Sequence, residues 1–336
     1  MYHIKELPED FVVDEIISLT KVEKGMYSYY QLKKRNINTL TALEKISTIF
    51  HLGKKKIGFA GNKDKTAITT QYISILHGPK QSYDGENISV TFIGYGNEPI
   101  SLGTNNGNYF KIIVRNITKK PEEKKEFINY FDSQRFSQHN TAIGQAIIKK
   151  QFKKAVELLQ KLGSEYEERL KRSLEEKPTE YIYALESTNP KILSLIINAY
   201  QSHLWNETVK QYLLNRKHIV FDDFVFPLEK TSIKTIPLIG FGTDIISLKN
   251  EELKKIILDI LKKEQISPRD FIIKQLKNMS REGEERNMII RVNDLKTGNL
   301  EDDECNIGKK KVELSFSLPK GSYATMYVRT LFVNQK

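Results

Sequence analysis

The periodicity of apolar residues changes twice along this chain of 336 residues. Residues 1–115 alternate short strand-like runs with one helical pattern, residues from about 120 to 280 are mainly helical, and a strand pattern returns after about residue 285. The last ~50 residues are too few to fold alone. A mainly helical domain inserted into a discontinuous α+β domain is therefore the simplest interpretation.

The individual elements follow from the spacing of apolar residues and from helix-start signals. A helix is predicted over residues 39–50, where Asn38 or Thr39 is a suitable N-cap, and Pro121 begins the helical segment. Strands are predicted over residues 11–17, 27–32, 57–60, 68–76, 88–93, 109–114, 287–292, 309–316 and 324–332. Further helices are predicted over residues 140–162, 189–216, 251–263 and 268–279, with strand-like pieces within 226–246.

The charge balance favours a polyanionic partner. The chain has 53 Lys and Arg residues against 42 Asp and Glu residues, which gives a formal net charge of +11 and a pI near 9.3. An anionic membrane surface is the competing explanation for this basic charge. No apolar run approaches the ~20 residues of a membrane span, so a spanning protein is excluded.

The N-terminal residues and the cysteine content predict a cytoplasmic protein. Residues 1–6 lack the apolar core of a signal peptide. Cys305 is the only cysteine, so neither an internal disulfide nor a cysteine-rich metal site can form.

The segment 59–71 places a single carboxylate in a short polar turn between two strand-like runs. Asp64 stands between Lys63 and Lys65, and such a cationic neighbourhood keeps a carboxylate ionised. An ionised and well-held aspartate can act as a nucleophile or a base without a metal or an organic cofactor. Asn, Asp and Gly are also common turn residues, so a purely structural turn is the alternative.

The motifs of several large enzyme classes are missing from the sequence. It contains no phosphate-binding loop of the G-x-x-x-x-G-K-[ST] type, no G-x-G-x-x-G, no H-E-x-x-H and no G-x-S-x-G. The six histidines are scattered without metal-ligand spacing, and His139 and His203 lie in contexts that favour a structural role. A chemistry without metal and without cofactor is what remains.

Aromatic and basic residues are interleaved in three segments, residues 27–36, 105–111 and 129–136. Such mixtures suit RNA, because bases stack on aromatic rings while phosphates meet cations. The same alternation also describes a half-buried strand, so these segments alone leave both interpretations open.

Seven ordered motifs together resemble the TruD-type pseudouridine synthase family over nearly the whole chain. In chain order they are Ile4 and Lys5 with residues 8–13 and Glu15; Lys34, Asn38 and Thr39; residues 59–67 with Thr69 and Gln71; residues 108–110; residues 129–131 with 134–136; residues 199–202 with 204–206; and residues 318–325. Two positions depart from the family pattern, because Asp132 and Ser137 stand where it has glycine. They put in doubt the local turn geometry at the entry to the inserted domain.

The resemblance implies a fold and an activity. The expected fold is an α+β, discontinuous pseudouridine-synthase catalytic domain on a mixed, mainly antiparallel sheet, with an inserted, mainly helical TRUD domain. The catalytic domain would comprise residues 1–130 and 285–336, and the inserted domain residues 131–284. The expected activity is isomerisation of uridine to pseudouridine in transfer RNA, most often at position 13 of the D-arm. No cofactor and no metal are expected, the partner is RNA rather than DNA or a membrane, and the default oligomeric state is a monomer.

The resemblance also implies roles for individual residues. Asp64 is the catalytic aspartate and Lys5 its cationic partner. Phe110 would stack on the flipped uracil, and Asn108 would hydrogen-bond nearby. Three further residues would line the cleft where the two domains meet, namely Asn129, Gln134 and Arg135. The carboxylate could attack C1′, add to C6 of the ring, or remove the C2′ proton, and these mechanisms stay open.

Two other function classes are weighed against this interpretation. A non-catalytic RNA-binding or RNA-chaperone protein of the same fold would need the cleft but not the carboxylate, so the joint presence of Asp64, Lys5 and Phe110 argues against it. A metal-dependent nuclease is disfavoured because Asp, Glu and His positions are not clustered.

Overall fold

The computed structural model describes residues 2–53, 56–133, 139–161 and 165–333, with the backbone alone described for residues 165–167. The polypeptide divides into two compact units. One is discontinuous and contains Met1–Phe127 and Ile290–Lys336, and the other contains Ile128–Ile289. Along the sequence, the chain therefore leaves the first unit after residue 127, runs through the second unit, and returns to the first at residue 290.

The secondary structure of the described residues comprises fifteen strands and eight α helices. The strands are β1 (Phe11–Ile16), β2 (Tyr27–Arg35), β3 (Ile57–Phe59), β4 (Ile68–Leu76), β5 (Tyr83–Asp84), β6 (Ile88–Gly96), β7 (Gly107–Ile117), β8 (Glu126–Ile128), β9 (His218–Phe221), β10 (Phe224–Pro227), β11 (Thr235–Leu238), β12 (Glu284–Asn287), β13 (Ile289–Arg291), β14 (Asn293–Asp302) and β15 (Lys310–Pro319). The helices are α1 (Thr39–Ile49), α2 (Asn140–Ile148), α3 (Phe152–Gln160), α4 (Glu165–Glu176), α5 (Tyr181–Glu186), α6 (Pro190–Leu214), α7 (Glu251–Glu264) and α8 (Ala324–Phe332).

The discontinuous unit is built on a nine-stranded sheet in the order β14-β15-β7-β1-β4-β2-β6-β5, with β3 also paired to β4. Strands β1 and β4 run parallel, with Val12 opposite Ile68, and the neighbouring pairs are antiparallel. This mixed, mainly antiparallel sheet confirms the α+β class predicted from the sequence. The parallel pair sets β1 directly beside the strand that follows Asp64.

The core of this unit lies on both faces of the sheet, because successive residues of a strand point to opposite sides. Tyr30 and Leu32 of β2 are fully buried and pack in one cluster with Ile46 of α1. Tyr29, the neighbour of Tyr30, packs in a second cluster with Ala60. Strand β2 is therefore covered on one face along its length and on the other face around Tyr29. Polar side chains at its buried positions must find partners inside the protein.

A buried arginine joins the N-terminal segment of the discontinuous unit to its returning C-terminal segment. The Arg115 guanidinium is 2.8 Å from carboxylate oxygens of both Asp10 and Asp303. Asp10 lies in a short 3₁₀ turn before β1, and Asp303 follows β14. The two carboxylates neutralise a cation that is only 1% exposed, as burial of a charge requires.

The second unit is mainly helical and is organised around α6. Its N-cap Asn189 accepts a hydrogen bond from the Lys191 amide at 2.9 Å, and Pro190 occupies the first turn. Trp205 of α6 is fully buried and donates to the Ile236 carbonyl of β11 at 3.1 Å. Within the described residues, no helix of either unit has the length and apolar character needed to cross a membrane.

Four sequence predictions of secondary structure are wrong in part or whole. No helix begins at Pro121, because the chain after it stays irregular over residues 121–125 and then extends into β8. Residues 324–332 form α8 rather than a strand, because nearly all of its side chains are buried and the helical period is hidden. The helix predicted over 140–162 is interrupted after α2, where Lys150 adopts a left-handed conformation (φ 59°) and the Gln151 amide bonds back to the Ala146 carbonyl. Of the helix predicted over 268–279, only a 3₁₀ turn at Pro268–Phe271 forms.

Candidate active site

The segment from Gly61 to Ala67 connects β3 to β4 and carries Asp64. Hydrogen bonds from separate elements hold this connection along its length. The Lys63 amide donates to Thr39 Oγ1 at the start of α1 at 2.9 Å, and the Ala67 carbonyl accepts from the Asn36 amide after β2 at 3.1 Å. Because each bond comes from a residue distant in sequence, the tertiary fold imposes the shape of the connection.

The Asp64 carboxylate forms an ion pair with Lys5. Lys5 Nζ lies 3.0 Å from Asp64 Oδ1, across 59 positions of sequence. The Lys5 side chain is 13% exposed and the Asp64 side chain 40% exposed, so the carboxylate faces solvent while its cationic partner is largely covered. Lys5 Nζ also lies 4.1 Å from the centroid of the Phe11 ring, a cation–π contact that fixes the ammonium.

A second lysine binds the main chain of the same aspartate. Lys34 Nζ donates to the Asp64 carbonyl at 2.6 Å and to the Ile37 carbonyl at 2.8 Å. Lys34 is only 1% exposed. Burial lowers the pKa of Lys34 to about 8, Asp64 partly opposes this shift, and Lys63 adds to it.

Lys63, the residue before Asp64, is paired with a buried glutamate of β1. Lys63 Nζ lies 2.5 Å from Glu15 Oε1, and the Tyr72 amide of β4 donates to Glu15 Oε2 at 3.0 Å. The Glu15 side chain is fully buried and that of Lys63 is 8% exposed. This pair joins β1, β4 and the Asp64 connection, and it depends on the parallel placement of β1 beside β4.

Phe110 and Asn108 lie on β7, between β1 and β15. Phe110 is 6% exposed, and its ring centroid lies 5.6 Å from that of Phe316 and 6.2 Å from that of Phe11. It therefore contacts the same Phe11 ring that supports Lys5, and its stacking on a uracil stays a prediction. Asn108 Oδ1 is buried and has no hydrogen-bond partner among the described residues, which leaves it able to accept one from a ligand.

The remaining predicted site residues belong to the second unit or lie outside the described residues. Asn129 lies in the second unit, where its Nδ2 donates to the Asn287 carbonyl at 3.1 Å and its carbonyl accepts from Arg286 at 2.9 Å. Gln134 and Arg135 lie outside the described residues, as does Ser137. The expected role of Asn129, Gln134 and Arg135 in lining a cleft stays a prediction.

Sequence reasoning did not single out Lys34 or Glu15 as parts of the site. It took Lys63 as a cationic neighbour of the Asp64 carboxylate, whereas the Lys63 ammonium pairs with Glu15. A usable signal was present in the sequence, because Glu15 and Lys34 are charged residues on strand faces whose other residues are mainly apolar and buried. Charges at such positions require partners. Their partners could not be read from spacing, since Lys34 is 30 positions from Asp64 and Glu15 is 48 positions from Lys63.

One group of side chains in the described parts of the chain has a spacing that would suit a cation. Oxygen and sulfur atoms of Glu6, Asp303 and Cys305 lie within 4.8 Å of one another. Asp303 already accepts hydrogen bonds from Arg115, from the Asn116 amide and from Asn306. The Arg115 guanidinium lies 2.8 Å from Asp303 Oδ1, and a metal ion would have to compete with that fixed positive charge.

The chain is similar to known proteins over almost its full length. The family model described as tRNA pseudouridine synthase D (TruD) matches residues 2–167, 159–235 and 228–331. A probable tRNA pseudouridine synthase D of Nanoarchaeum equitans is 34% identical, with 98% of each chain covered. The tRNA pseudouridine synthase D of Aquifex aeolicus is 31% identical, with 98% of this chain and 97% of the relative covered.

A solved structure is similar as well. The crystal structure of the putative tRNA pseudouridine synthase D (TruD) from Methanosarcina mazei matches with a TM-score of 0.67 at 25% sequence identity. The match covers 98% of this chain and 92% of that one. Similarity in motifs, in overall sequence and in fold thus leads to one conclusion: the chain belongs to the tRNA pseudouridine synthase D family.

Proposed function

We propose that this protein isomerises uridine to pseudouridine in transfer RNA, with Asp64 as the catalytic carboxylate and Lys5 as its charge partner. The observation that carries the proposal is the ion pair between Lys5 Nζ and Asp64 Oδ1 at 3.0 Å, on a connection held by several elements of a chain that belongs to this family. A carboxylate that is fixed, paired and 40% exposed is both oriented and accessible to a substrate.

The reaction requires no electron source and no second substrate. The bond between ribose C1′ and uracil N1 breaks, the uracil rotates, and a bond forms between C1′ and C5. The C5 proton leaves and N1 gains a proton, so the product is an isomer of the substrate. Asp64 could open this sequence by attack on C1′, by addition to C6 or by removal of the C2′ proton, and in each case the Lys5 ammonium would hold the carboxylate in place.

The discontinuous unit is proposed as the catalytic domain, because Asp64, Lys5 and Phe110 all lie in it. The expected boundaries are residues 1–130 and 285–336, with residues 131–284 as the inserted domain. Uridine 13 in the D-arm is the proposed target. A formal net charge of +11 supports a nucleic acid as the partner, because cationic side chains bind phosphates and release counterions.

A uracil must leave its stack to reach Asp64, which costs a few kcal/mol. Contact with an aromatic ring would offset about 1–3 kcal/mol of that cost. Phe110 is the proposed ring, and a small displacement of its neighbours would be needed because only 6% of it is exposed. Asn108 Oδ1, which has no partner in the described structure, is the proposed acceptor for a uracil N–H.

The proposal is tested with the Asp64→Asn variant. This change keeps the size of the side chain and removes the negative charge of the carboxylate, so pseudouridine formation should fall below detection while the fold and the affinity for RNA persist. Carbodiimide mapping of transfer RNA incubated with each protein measures the product at single-nucleotide resolution. Asp84→Asn, at an exposed position of β5, makes the same charge change and should retain wild-type activity.

An Asp64→Asn protein that still forms pseudouridine would refute the assignment of the catalytic carboxylate. If neither the wild type nor the Asp64→Asn variant modifies RNA, but the two proteins bind RNA with equal affinity, the protein is a non-catalytic RNA-binding member of the family. Mapping across total RNA from cells with and without the gene identifies the modified uridine and tests position 13 directly. A monomer in the cytoplasm is expected, and sedimentation and fractionation would check both expectations.

A further inference from the structure

Lys34 occupies an unusual position for a lysine, because its backbone lies in the interior of the sheet. On one side of β2 it is opposite Thr69 of β4, and on the other it is opposite Ile88 of β6. Its Cα is therefore fixed by ladders on both sides, and only 1% of the residue is exposed. A lysine in such a place must be held by hydrogen bonds that compensate its lost hydration.

The hydrogen bonds that Lys34 makes lead to the aspartate by way of the main chain. Its ammonium bridges the carbonyl of Asp64 and the carbonyl of Ile37, with distances of 2.6 and 2.8 Å. Ile37 lies just before α1, so the bridge connects the start of that helix to the Asp64 connection. Bonds from a charged donor are shorter and stronger than bonds from a neutral amine.

We infer that Lys34 is a positioning residue for catalysis: its ammonium bridges the Asp64 and Ile37 carbonyls and so fixes the direction in which the Asp64 carboxylate points. This inference rests on the proposed function, in which Asp64 performs the chemistry. Lys5 holds the carboxylate and Lys34 holds the main chain of the same residue. Two lysines that approach one aspartate from different segments leave its side chain little freedom.

The direction of the Asp64 side chain matters because the reacting atoms must be placed closely. A displacement of about 1 Å in a catalytic group can lower a rate by about 10²-fold. Lys34 itself is buried and reaches only main-chain oxygens, so it has no route to bind RNA. Its loss should therefore appear in the rate of the chemical step and not in the affinity for RNA.

The protonation of Lys34 gives this role a pH dependence. The charged groups that act on Lys34 are Asp64 and Lys63, both on the connection between β3 and β4. Each of them has a partner of its own, because Lys63 pairs with Glu15 of β1 and the Asp64 carboxylate pairs with Lys5. Burial lowers the pKa of Lys34 to about 8. Lys34 is thus an ammonium below about pH 8 and a neutral amine, a weaker donor to both carbonyls, above it.

The test compares Lys34→Met and Lys34→Arg with a matched control, Lys33→Met. Lys33 is the preceding residue of β2 and is exposed, so the control removes the same charge from the same strand without touching the Asp64 connection. The rate is measured in single turnovers at saturating enzyme as release of tritium from transfer RNA labelled at C5 of uridine. Binding is measured separately by filter retention of the same RNA.

For Lys34→Met we expect a single-turnover rate lower by about 10²-fold, with an unchanged dissociation constant for RNA. Lys34→Arg, which keeps a positive charge at every accessible pH, should recover part of the rate and lose the alkaline decline. Lys33→Met should match the wild type in rate. A Lys34→Met enzyme with wild-type rate, or one whose defect lies in RNA affinity alone, would overturn the inference.

The wild-type protein provides a measurement that does not depend on the folding of any variant. Its single-turnover rate should be constant well below pH 8 and should fall as the pH rises through about 8. A rate that stays flat to about pH 9.5 contradicts a charged positioning lysine. The Asp64→Asn variant separates the two proposals. If it is inactive while Lys34 variants are fully active, the catalytic assignment stands and the positioning role is refuted.

Discussion

Replacement of Glu15 by glutamine should destabilise the discontinuous unit strongly, although the side chain keeps its shape. Glutamine can still accept the hydrogen bond from the Tyr72 amide, which Glu15 Oε2 now accepts at 3.0 Å. What Glu15→Gln removes is the negative charge 2.5 Å from Lys63 Nζ. The change therefore isolates the ion pair from the backbone contact.

The magnitude follows from burial. The Glu15 side chain is fully buried and that of Lys63 is 8% exposed, so the substitution leaves an ammonium without its counter-charge in a poorly hydrated place. Removing one partner of a buried pair typically costs about 3–5 kcal/mol. Lys63 lies on a connection rather than in a strand and can relax outward, so the lower end, about 3 kcal/mol, is expected. Because Asp64 directly follows Lys63, an outward movement of Lys63 should also displace Asp64 and lower the rate of pseudouridine formation.

The assay is urea unfolding followed by circular dichroism, together with hydrogen exchange of β4, whose Tyr72 amide contacts Glu15 directly. The double variant Glu15→Gln/Lys63→Met removes both charges and should be more stable than Glu15→Gln alone. The control pair is Lys111 and Glu313, at 2.9 Å and about half exposed on the same sheet. Its disruption should cost about 0.2–1 kcal/mol. A Glu15→Gln cost no larger than the control's would refute the reasoning.

Two further predictions concern stability away from Asp64. Burial alone would raise the pKa of Asp303, but hydrogen bonds, including those from the Asn116 and Cys305 amides and from Arg115, outweigh it and lower that pKa to about 2. The stability that the ionised Asp303 carboxylate contributes is therefore complete above about pH 4 and lost as the pH falls through about 2. Asp303→Asn should be less stable than the wild type at pH 7 and nearly equal to it at pH 2. Acid unfolding followed by circular dichroism measures both. In the second unit, a Cβ on Gly144 would lie 2.5 Å from the Ile196 carbonyl oxygen. Gly144→Ala should therefore lower stability by about 1–3 kcal/mol despite the better helix propensity of alanine, as measured by thermal unfolding with Trp205 fluorescence, and a raised midpoint would contradict this.

Local patterns in the sequence were enough to identify most of the elements near the site. The polar turn at Asp64 between two apolar runs corresponds to the connection between β3 and β4, and the apolar spacing over residues 39–50 corresponds to α1. Prediction was wrong where burial is nearly complete. In α8 the residues Met326, Tyr327 and Val328 are all buried, so neither a period of two nor one of 3.6 is visible.

The environment of Asp64 was much less accessible to local reasoning. Motif resemblance drew attention to Lys5, and the structure brings Lys5 and Asp64 together at 3.0 Å. Lys34 also stands in a matching motif, yet nothing in that motif indicates that its ammonium reaches the main chain of Asp64. The two lysines contact one residue because segments 30 positions or more apart in sequence are brought next to each other in space.

The sequence by itself determined the α+β class, the family and the place of the polar turn with its aspartate, because these depend on periodicity and on ordered motifs. The tertiary structure alone decided how that aspartate is held. The parallel pairing of β1 with β4 brings Glu15 to Lys63, and the interior position of β2 buries Lys34 against the Asp64 carbonyl. Strand order and register arise from contacts between distant segments, and no local pattern encodes them.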